Sequence, residues 1–158
     1  MKALAFSLKG VDGKTHTLES LKGAAATIIV FSCNHCPYVV KAEDELIAIF
    51  NEYHAGGVTM AAINANDSDG YPEDSYENMI VRAAKKKFPF AYLHDETQKI
   101  AKAYGATHTP QLYVFDAELS LAYSGAVSGL RDALDDLVAG RGVRVPEIHA
   151  IGCTIKWK

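Results

Sequence analysis

The stretch Phe31-Ser32-Cys33-Asn34-His35-Cys36-Pro37-Tyr38-Val39 places two cysteines three positions apart, with a histidine between them and a proline directly after. Cysteines at i and i+3 of a first helical turn approach closely enough to close a disulfide. The same pair can hold a metal, and a single reactive thiol can reduce peroxide, so the motif leaves three chemistries open. If a helix begins at this motif, its unpaired N–H groups and dipole favour a thiolate at Cys33. A protonated His35 favours it further. Access then sets the roles. Cys33, nearer the helix end, is expected to attack a disulfide, and Cys36, one turn deeper, to resolve the mixed disulfide. Pro37 is tolerated because its missing N–H falls in the first turn.

The metal-binding alternative uses Cys33 and Cys36 with further ligands. Copper(I) can be held by two thiolates, whereas zinc usually takes four ligands, and the chain has no second Cys-x-x-Cys. His35 is too close in sequence to be an easy third ligand while a helix holds, so His108, beside Thr109-Pro110, is the better candidate. Its ordinary reading is a solvated loop histidine. His16, His54, His94 and His149 show no metal spacing. The expectation is therefore no bound metal, with copper(I) delivery as the rival function. Cys153 stands apart in the tail. It reads either as a small buried apolar residue or as a resolving or regulatory thiol that reaches the pair.

The elements around the motif give it a position. Ala26 to Phe31 is a continuous, β-branched-rich apolar run, which marks a strand buried on both faces. Behind the motif, Val39, Val40, Leu46, Ile47, Phe50 and Tyr53 recur at helical steps, ending at Gly56-Gly57. Val58 to Asn64 is the next buried strand, and a helical segment runs from Pro72 to about Lys87. Phe90 to Leu93 reads as a strand and Thr97 to Tyr104 as a helix. Gln111 to Phe115 and Leu119 to Ser124 form a hairpin, followed by a helix over Gly129 to Val138. At the N-terminus, Ala3 to Leu8 and Thr15 to Leu18 flank Asp12-Gly13, a hairpin turn signal. The result is one α/β domain over residues 1–158, with a mixed central sheet, helices on both faces, an N-terminal β-hairpin and an irregular tail over 141–158. The cysteine pair then lies at the C-terminal end of a central strand, where open α/β sheets place their sites.

Bulk properties exclude other classes. The chain has 158 residues, 49% of them apolar and 22% charged, and a net charge of −3, with a pI near 6.0. No basic face is implied, so nucleic acid is not an expected partner. The run Lys85-Lys86-Lys87 reads as a solvated helix end. No apolar run approaches the roughly 18 residues of a membrane span, and the N-terminus lacks a signal-peptide pattern. A cytoplasmic location is expected, where thiols stay reduced and such a pair is catalytic or metal-binding. No built-in cofactor is implied. The expected partners are a protein or small-molecule disulfide or thiol and an electron donor that the sequence does not identify.

With the pair, its flanking strand and helix, and the segment Tyr104-Gly-Ala-Thr-His-Thr-Pro-Gln-Leu-Tyr-Val-Phe-Asp116 in view, the chain resembles the thioredoxin superfamily over nearly its whole length. More narrowly it is similar to a thioredoxin-like, peroxiredoxin-like (AhpC/TSA-related) bacterial branch that carries a Cys-x-His-Cys-Pro motif and a Gly-Cys-x-Ile-Lys-Trp-Lys tail. Here that tail is Gly152 to Lys158. The resemblance implies a thiol–disulfide oxidoreductase, a cis Pro110 packed beside the cysteines, and a Thr109 backbone that offers hydrogen bonds to an extended substrate segment. It also implies departures. Ser32 stands where thioredoxin has Trp, Asn34-His35 where it has Gly-Pro, and Thr27 at the spacing of its buried Asp, so a buried carboxylate serving the pair is expected to be missing. His at position 35 resembles strongly oxidising relatives and makes His35 a tuner of the Cys33 thiol. Peroxiredoxins place Thr or Ser three residues before their reactive cysteine. Position 33 is Cys, which disfavours the alternative of a thiol peroxidase.

Overall fold

The computed structural model describes residues 1–158. Its first elements are β1 (Ser7–Gly10) and β2 (Thr15–Thr17), an antiparallel hairpin whose turn contains Gly13 at φ +80°. The short helix α1 (Leu18–Leu21) follows, with the Thr17 hydroxyl accepting from the Ser20 N–H at 3.1 Å. Next come β3 (Ala26–Ser32), α2 (Pro37–Tyr53) and β4 (Val58–Asn64). The expected helix from Pro72 divides into a 3₁₀ turn, Pro72–Asp74, and α3 (Tyr76–Lys86). The break falls at Ser75, whose extended backbone and hydroxyl cap α3 by accepting from the Asn78 N–H. Then follow β5 (Ala91–His94), α4 (Lys99–Tyr104), β6 (His108–Thr109), β7 (Gln111–Phe115), β8 (Leu121–Gly125) and α5 (Leu130–Val138). The tail adds β9 (Glu147–Ile148) and β10 (Cys153–Thr154).

Eight strands form one mixed sheet in the order β2-β1-β5-β4-β3-β7-β8-β9. Strand β3 is central, parallel to β4 and antiparallel to β7. It is buried at every position, and its side chains still divide by the period of two that a strand imposes. Ala26, Ile28 and Val30 enter one core with Leu46, Ile49 and Phe50 of α2, Met79 of α3 and Leu130 of α5. Ile29 and Phe31 enter the other with Leu18 of α1 and Ala101 and Tyr104 of α4. The sheet thus has helices on both faces, and α2 must lie against β3 directly behind the cysteine motif. No helix is long and apolar enough to cross a membrane.

The tail is more ordered than the sequence pattern indicates. Strand β9 pairs with β8, and β10 forms a separate two-stranded sheet with β6. Beyond β10, Ile155 is buried in the second core and its N–H donates to the Thr107 carbonyl at 2.9 Å. Gln98 holds the last residues. Its Nε2 donates to the carbonyls of Ala65 and Lys156 at 2.8 and 2.9 Å, and its Oε1 accepts from the Lys158 N–H at 3.1 Å. Gln98 adopts φ +66°, which is why α4 starts at Lys99 and not at Thr97. These anchors are backbone pairings and side-chain-to-backbone hydrogen bonds between distant segments, which leave no periodic trace in a sequence. Replacing Gln98 by Ala is expected to cost about 1–3 kcal/mol, chiefly by taking the donor from the buried Ala65 carbonyl. Hydrogen exchange should show protection lost first at Lys158, whose N–H Gln98 holds directly; equal protection there in the variant would refute the anchor.

Candidate active site

Strand β3 delivers Cys33 to its C-terminal end, and Pro37 opens α2 at the first helical position, where its fixed φ suits a helix. Cys36 is therefore the N-cap residue, and its carbonyl accepts from the Val40 N–H at 2.9 Å. The four-residue link closes on itself: the Cys36 N–H donates to Cys33 Sγ at 3.3 Å. Thr109 faces both thiols. Its Oγ1 lies 3.7 Å from Cys33 Sγ, and its carbonyl oxygen lies 3.5 Å from Cys36 Sγ. The Thr109–Pro110 peptide bond is cis. Cys33, Cys36, His35, Thr109 and Pro110 thus come together in one place. Cys33 and Cys36 are only 1% and 2% exposed, and all three cysteines are free thiols.

A carboxylate missed from the sequence holds the link in place. Asp74, fully buried, projects from the 3₁₀ turn after β4. Its Oδ1 accepts from the Asn34 N–H at 2.7 Å, and its Oδ2 lies 2.9 Å from His35 Nδ1. Asn66 Nδ2 donates to Oδ2 at 3.0 Å, and Asn64 Nδ2 is 3.4 Å from Oδ1. The Asn34 side chain is fixed in turn: its Nδ2 donates to the Glu73 carbonyl at 2.9 Å, and its Oδ1 accepts from the Tyr92 hydroxyl at 2.7 Å. The expectation that the site lacks a buried carboxylate is thereby corrected. None stands on β3, where Thr27 uses its hydroxyl to accept from the Gly23 N–H, but one arrives from another segment. The available signal was a pair of asparagines, Asn64 at the end of a largely apolar strand and Asn66 just beyond it.

The two thiols are pushed in opposite directions. Burial, and after it the negative charge of Asp74, raises Cys33 to about 12. The hydrogen bonds it receives from the backbone and from Thr109 do not offset this. Burial also opposes ionisation of Cys36, but hydrogen bonds outweigh it. The Cys153 thiol contributes most, followed by the N–H groups of Val39 and Cys153 and the Thr109 side chain, and Cys36 lies below an ordinary thiol. The Thr109 carbonyl, which accepts only from a protonated Cys36, works against this and is outweighed. The expectation of a thiolate at Cys33 therefore meets the opposite electrostatics. Helix α2 starts at Pro37, so its N-terminus caps Cys36, while Cys33 sits below the strand end beside an anion.

Cys153 reaches the site. Strand β10 pairs antiparallel with β6 in a register that sets Cys153 opposite Thr109 and Thr154 opposite His108. Cys153 packs against Cys33, Cys36 and Val39 while remaining partly exposed, and its own thiol is raised, first by its hydrogen bond to Cys36. His108 does not join the cysteines; its Nδ1 lies 2.8 Å from Thr107 Oγ1. The ligand-type atoms that do converge belong to Cys33, His35 and Asp74, all within 4.8 Å of one another. A thiolate, an imidazole and a carboxylate suit a divalent transition metal, although the His35–Asp74 contact and the asparagine donors already occupy the last two. The largest surface cleft, lined by Ala24, Ala25 and Asp116 among others, lies at the opposite end of β3.

The sequence model of the AhpC/TSA family matches residues 1–124. The crystal structure of an uncharacterized conserved protein from Geobacillus kaustophilus superposes with a TM-score of 0.97 at 44% identity, over 100% of this chain and 91% of that one. The thioredoxin domain of a thiol-disulfide oxidoreductase from Bacteroides vulgatus superposes with a TM-score of 0.74 at 15% identity, over 87% of this chain and 96% of that one, which shows a thioredoxin-like fold. The chloroplastic peroxiredoxin Q of Populus jackii is 26% identical over 101 residues, 64% of this chain. The chain spans 44% of that protein's length.

Thiolate absorbance near 240 nm, followed against pH, should show one cysteine ionising below the ordinary thiol range. Cys36→Ser should delete that step, Cys33→Ser should leave it, and Cys153→Ala, which removes the thiol donor, should move it upward. A low step that disappears with Cys33→Ser instead would reverse the assignment.

Proposed function

The chain belongs to the AhpC/TSA family, and we propose that it acts as a thiol–disulfide oxidoreductase through Cys33 and Cys36. The observation that carries this reading is the geometry of the pair: the Cys36 N–H donates to Cys33 Sγ at 3.3 Å, and Thr109, beside cis Pro110, faces both sulfurs at 3.7 and 3.5 Å; the opposite displacement of the two thiols suggests their roles. One thiol is poised as a nucleophile and its neighbour is held protonated in reserve. The roles inferred from sequence are exchanged accordingly: Cys36 attacks and Cys33 resolves.

In the reductive direction the Cys36 thiolate attacks one sulfur of a disulfide that reaches it. A Cys36 mixed disulfide forms, and the other half leaves as a thiolate that takes up a proton. Cys33 then gives up its proton and attacks Cys36 Sγ. The Cys33–Cys36 disulfide forms and the second half leaves. The substrate gains two electrons and the pair loses two, and a thiol donor restores the dithiol by the reverse exchange. His35, placed between buried Asp74 and solvent with its side chain 37% exposed, is suited to carry the Cys33 proton out. Thr109 and Pro110 shape the surface against which the exchanging sulfur must lie.

A second reading is peroxide reduction, supported by the family match and by the lowered Cys36 thiol at a helix N-cap. There Cys36 takes the terminal oxygen of a hydroperoxide as a sulfenic acid, releasing an alcohol or water. Cys33 then condenses with it, releasing water and leaving the same disulfide.

Metal-free protein equilibrated across glutathione redox buffers, alkylated and mapped by mass spectrometry should show a reversible Cys33–Cys36 disulfide. A potential well above about −270 mV would make the protein an oxidant, and one near it a reductant. Absence of the bridge at every poise would refute the exchange mechanism. A pair that oxidises far faster with hydrogen peroxide than with disulfides would favour the second reading. Asp74→Asn should lower the Cys33 thiol by removing the adjacent charge, so that mixed disulfides on Cys36 resolve faster at neutral pH. Unchanged resolution would remove Asp74 from the mechanism.

A further inference from the structure

We propose that Cys153 is the port of the site: external disulfides exchange with Cys153, and Cys153 passes the disulfide to Cys36. The inference rests on the thiol–disulfide reading above and names the route into it. The family match ends at residue 124, and Cys153 lies beyond it.

Access poses the problem. Cys33 and Cys36 are buried under β10, and a bulky disulfide cannot reach either sulfur while the tail is in place. Cys153 is the cysteine that touches both the pair and solvent. Its position is built. It stands opposite Thr109 in register, and Gly152 before it lies close against the Thr109–Pro110 peptide. A Cβ on Gly152 would stand 2.1 Å from the Thr109 carbonyl oxygen and 2.7 Å from its carbon, so only glycine lets the strand come this close. After it, Ile155 and Gln98 anchor the tail on the far side. A cysteine serving as apolar filler would need neither partial exposure nor a place against the Cys33 and Cys36 side chains in register with Thr109.

The steps balance without a further reactant. Cys153 attacks an external disulfide, forms a mixed disulfide and releases the first thiol with the proton Cys153 gave up. The Cys36 thiolate attacks Cys153 Sγ; the Cys36–Cys153 bond forms and the second external thiolate leaves, taking a proton from solvent. Cys33 loses its proton and attacks Cys36 Sγ; the Cys33–Cys36 bond forms, and Cys153 leaves and is reprotonated. One external disulfide becomes two thiols, the pair becomes a disulfide, and Cys153 ends as it began.

The test uses the full chain and glutathione disulfide, with reactions quenched by alkylation at timed intervals and every adduct mapped by mass spectrometry. In the unmodified protein the earliest glutathione adduct should fall on Cys153. Cys33→Ser should accumulate the Cys36–Cys153 disulfide. Cys153→Ser should slow oxidation of the pair about tenfold yet reach the same Cys33–Cys36 end point. An early adduct on Cys33 or Cys36 in the unmodified protein, with Cys153→Ser oxidising as fast or faster, would make the tail a cover and overturn the port. The adduct order is read in the unmodified chain, so it does not depend on a variant folding. Failure of the underlying reading looks different: no Cys33–Cys36 bridge forms, while glutathione still enters at Cys153 and moves on to a Cys36–Cys153 disulfide.

Discussion

The buried carboxylate of Asp74 is the constraint on which the site depends. Charge without solvent is costly to bury unless several donors meet it, and here the donors come from two segments: the Asn34 backbone and His35 ring in the cysteine link, and the side chains of Asn64, at the end of β4, and of Asn66 just beyond it. Satisfying one anion therefore fixes the link between Cys33 and Cys36 against the neighbouring strand. The same anion then acts on the thiol beside it. The interaction that orders the loop also makes one cysteine reluctant to ionise, so geometry and reactivity share a cause.

The second thiol is governed from the opposite side. Helix α2 turns its N-terminus to Cys36, and the tail brings a thiol and an N–H to the same sulfur. Two cysteines of identical chemistry, both almost without solvent, are separated by which polar groups the fold sends to each. Such a division follows when two titratable neighbours are placed in unlike environments. It also ties the reactivity of Cys36 to whether β10 is seated.

What could be read from the sequence was what repeats or runs. Ala26 to Phe31 and Val58 to Asn64 announced central strands, and the helix behind the cysteines had a clear period, so the fold and the location of the chemistry were legible. The division of roles was not, because it is set at long range. Asp74 lies in a stretch of turn residues with no period, and nothing local says that it is buried. The tail carries no periodic pattern either, since backbone pairing with β6 and the Gln98 amide hold it. Gly152-Cys153 could be noticed as a pair of unusual residues, but not as the partner of Thr109.

The order of pairing in the sheet bears on how the molecule comes to fold. Strand β3 pairs with β7 so that Phe31 lies opposite Gln111, and a contact so far apart in sequence is slow to form because a long loop must close first. Until it does, Thr109 is remote from the cysteines, and β6 is not positioned to receive the tail. The local β3-α2-β4 unit can assemble earlier, with its thiols not yet covered by the tail. The contacts that Thr109 and Cys153 make with the two sulfurs belong to this long-range set, and a chain that has not yet made them presents its thiols uncovered to whatever oxidant surrounds it.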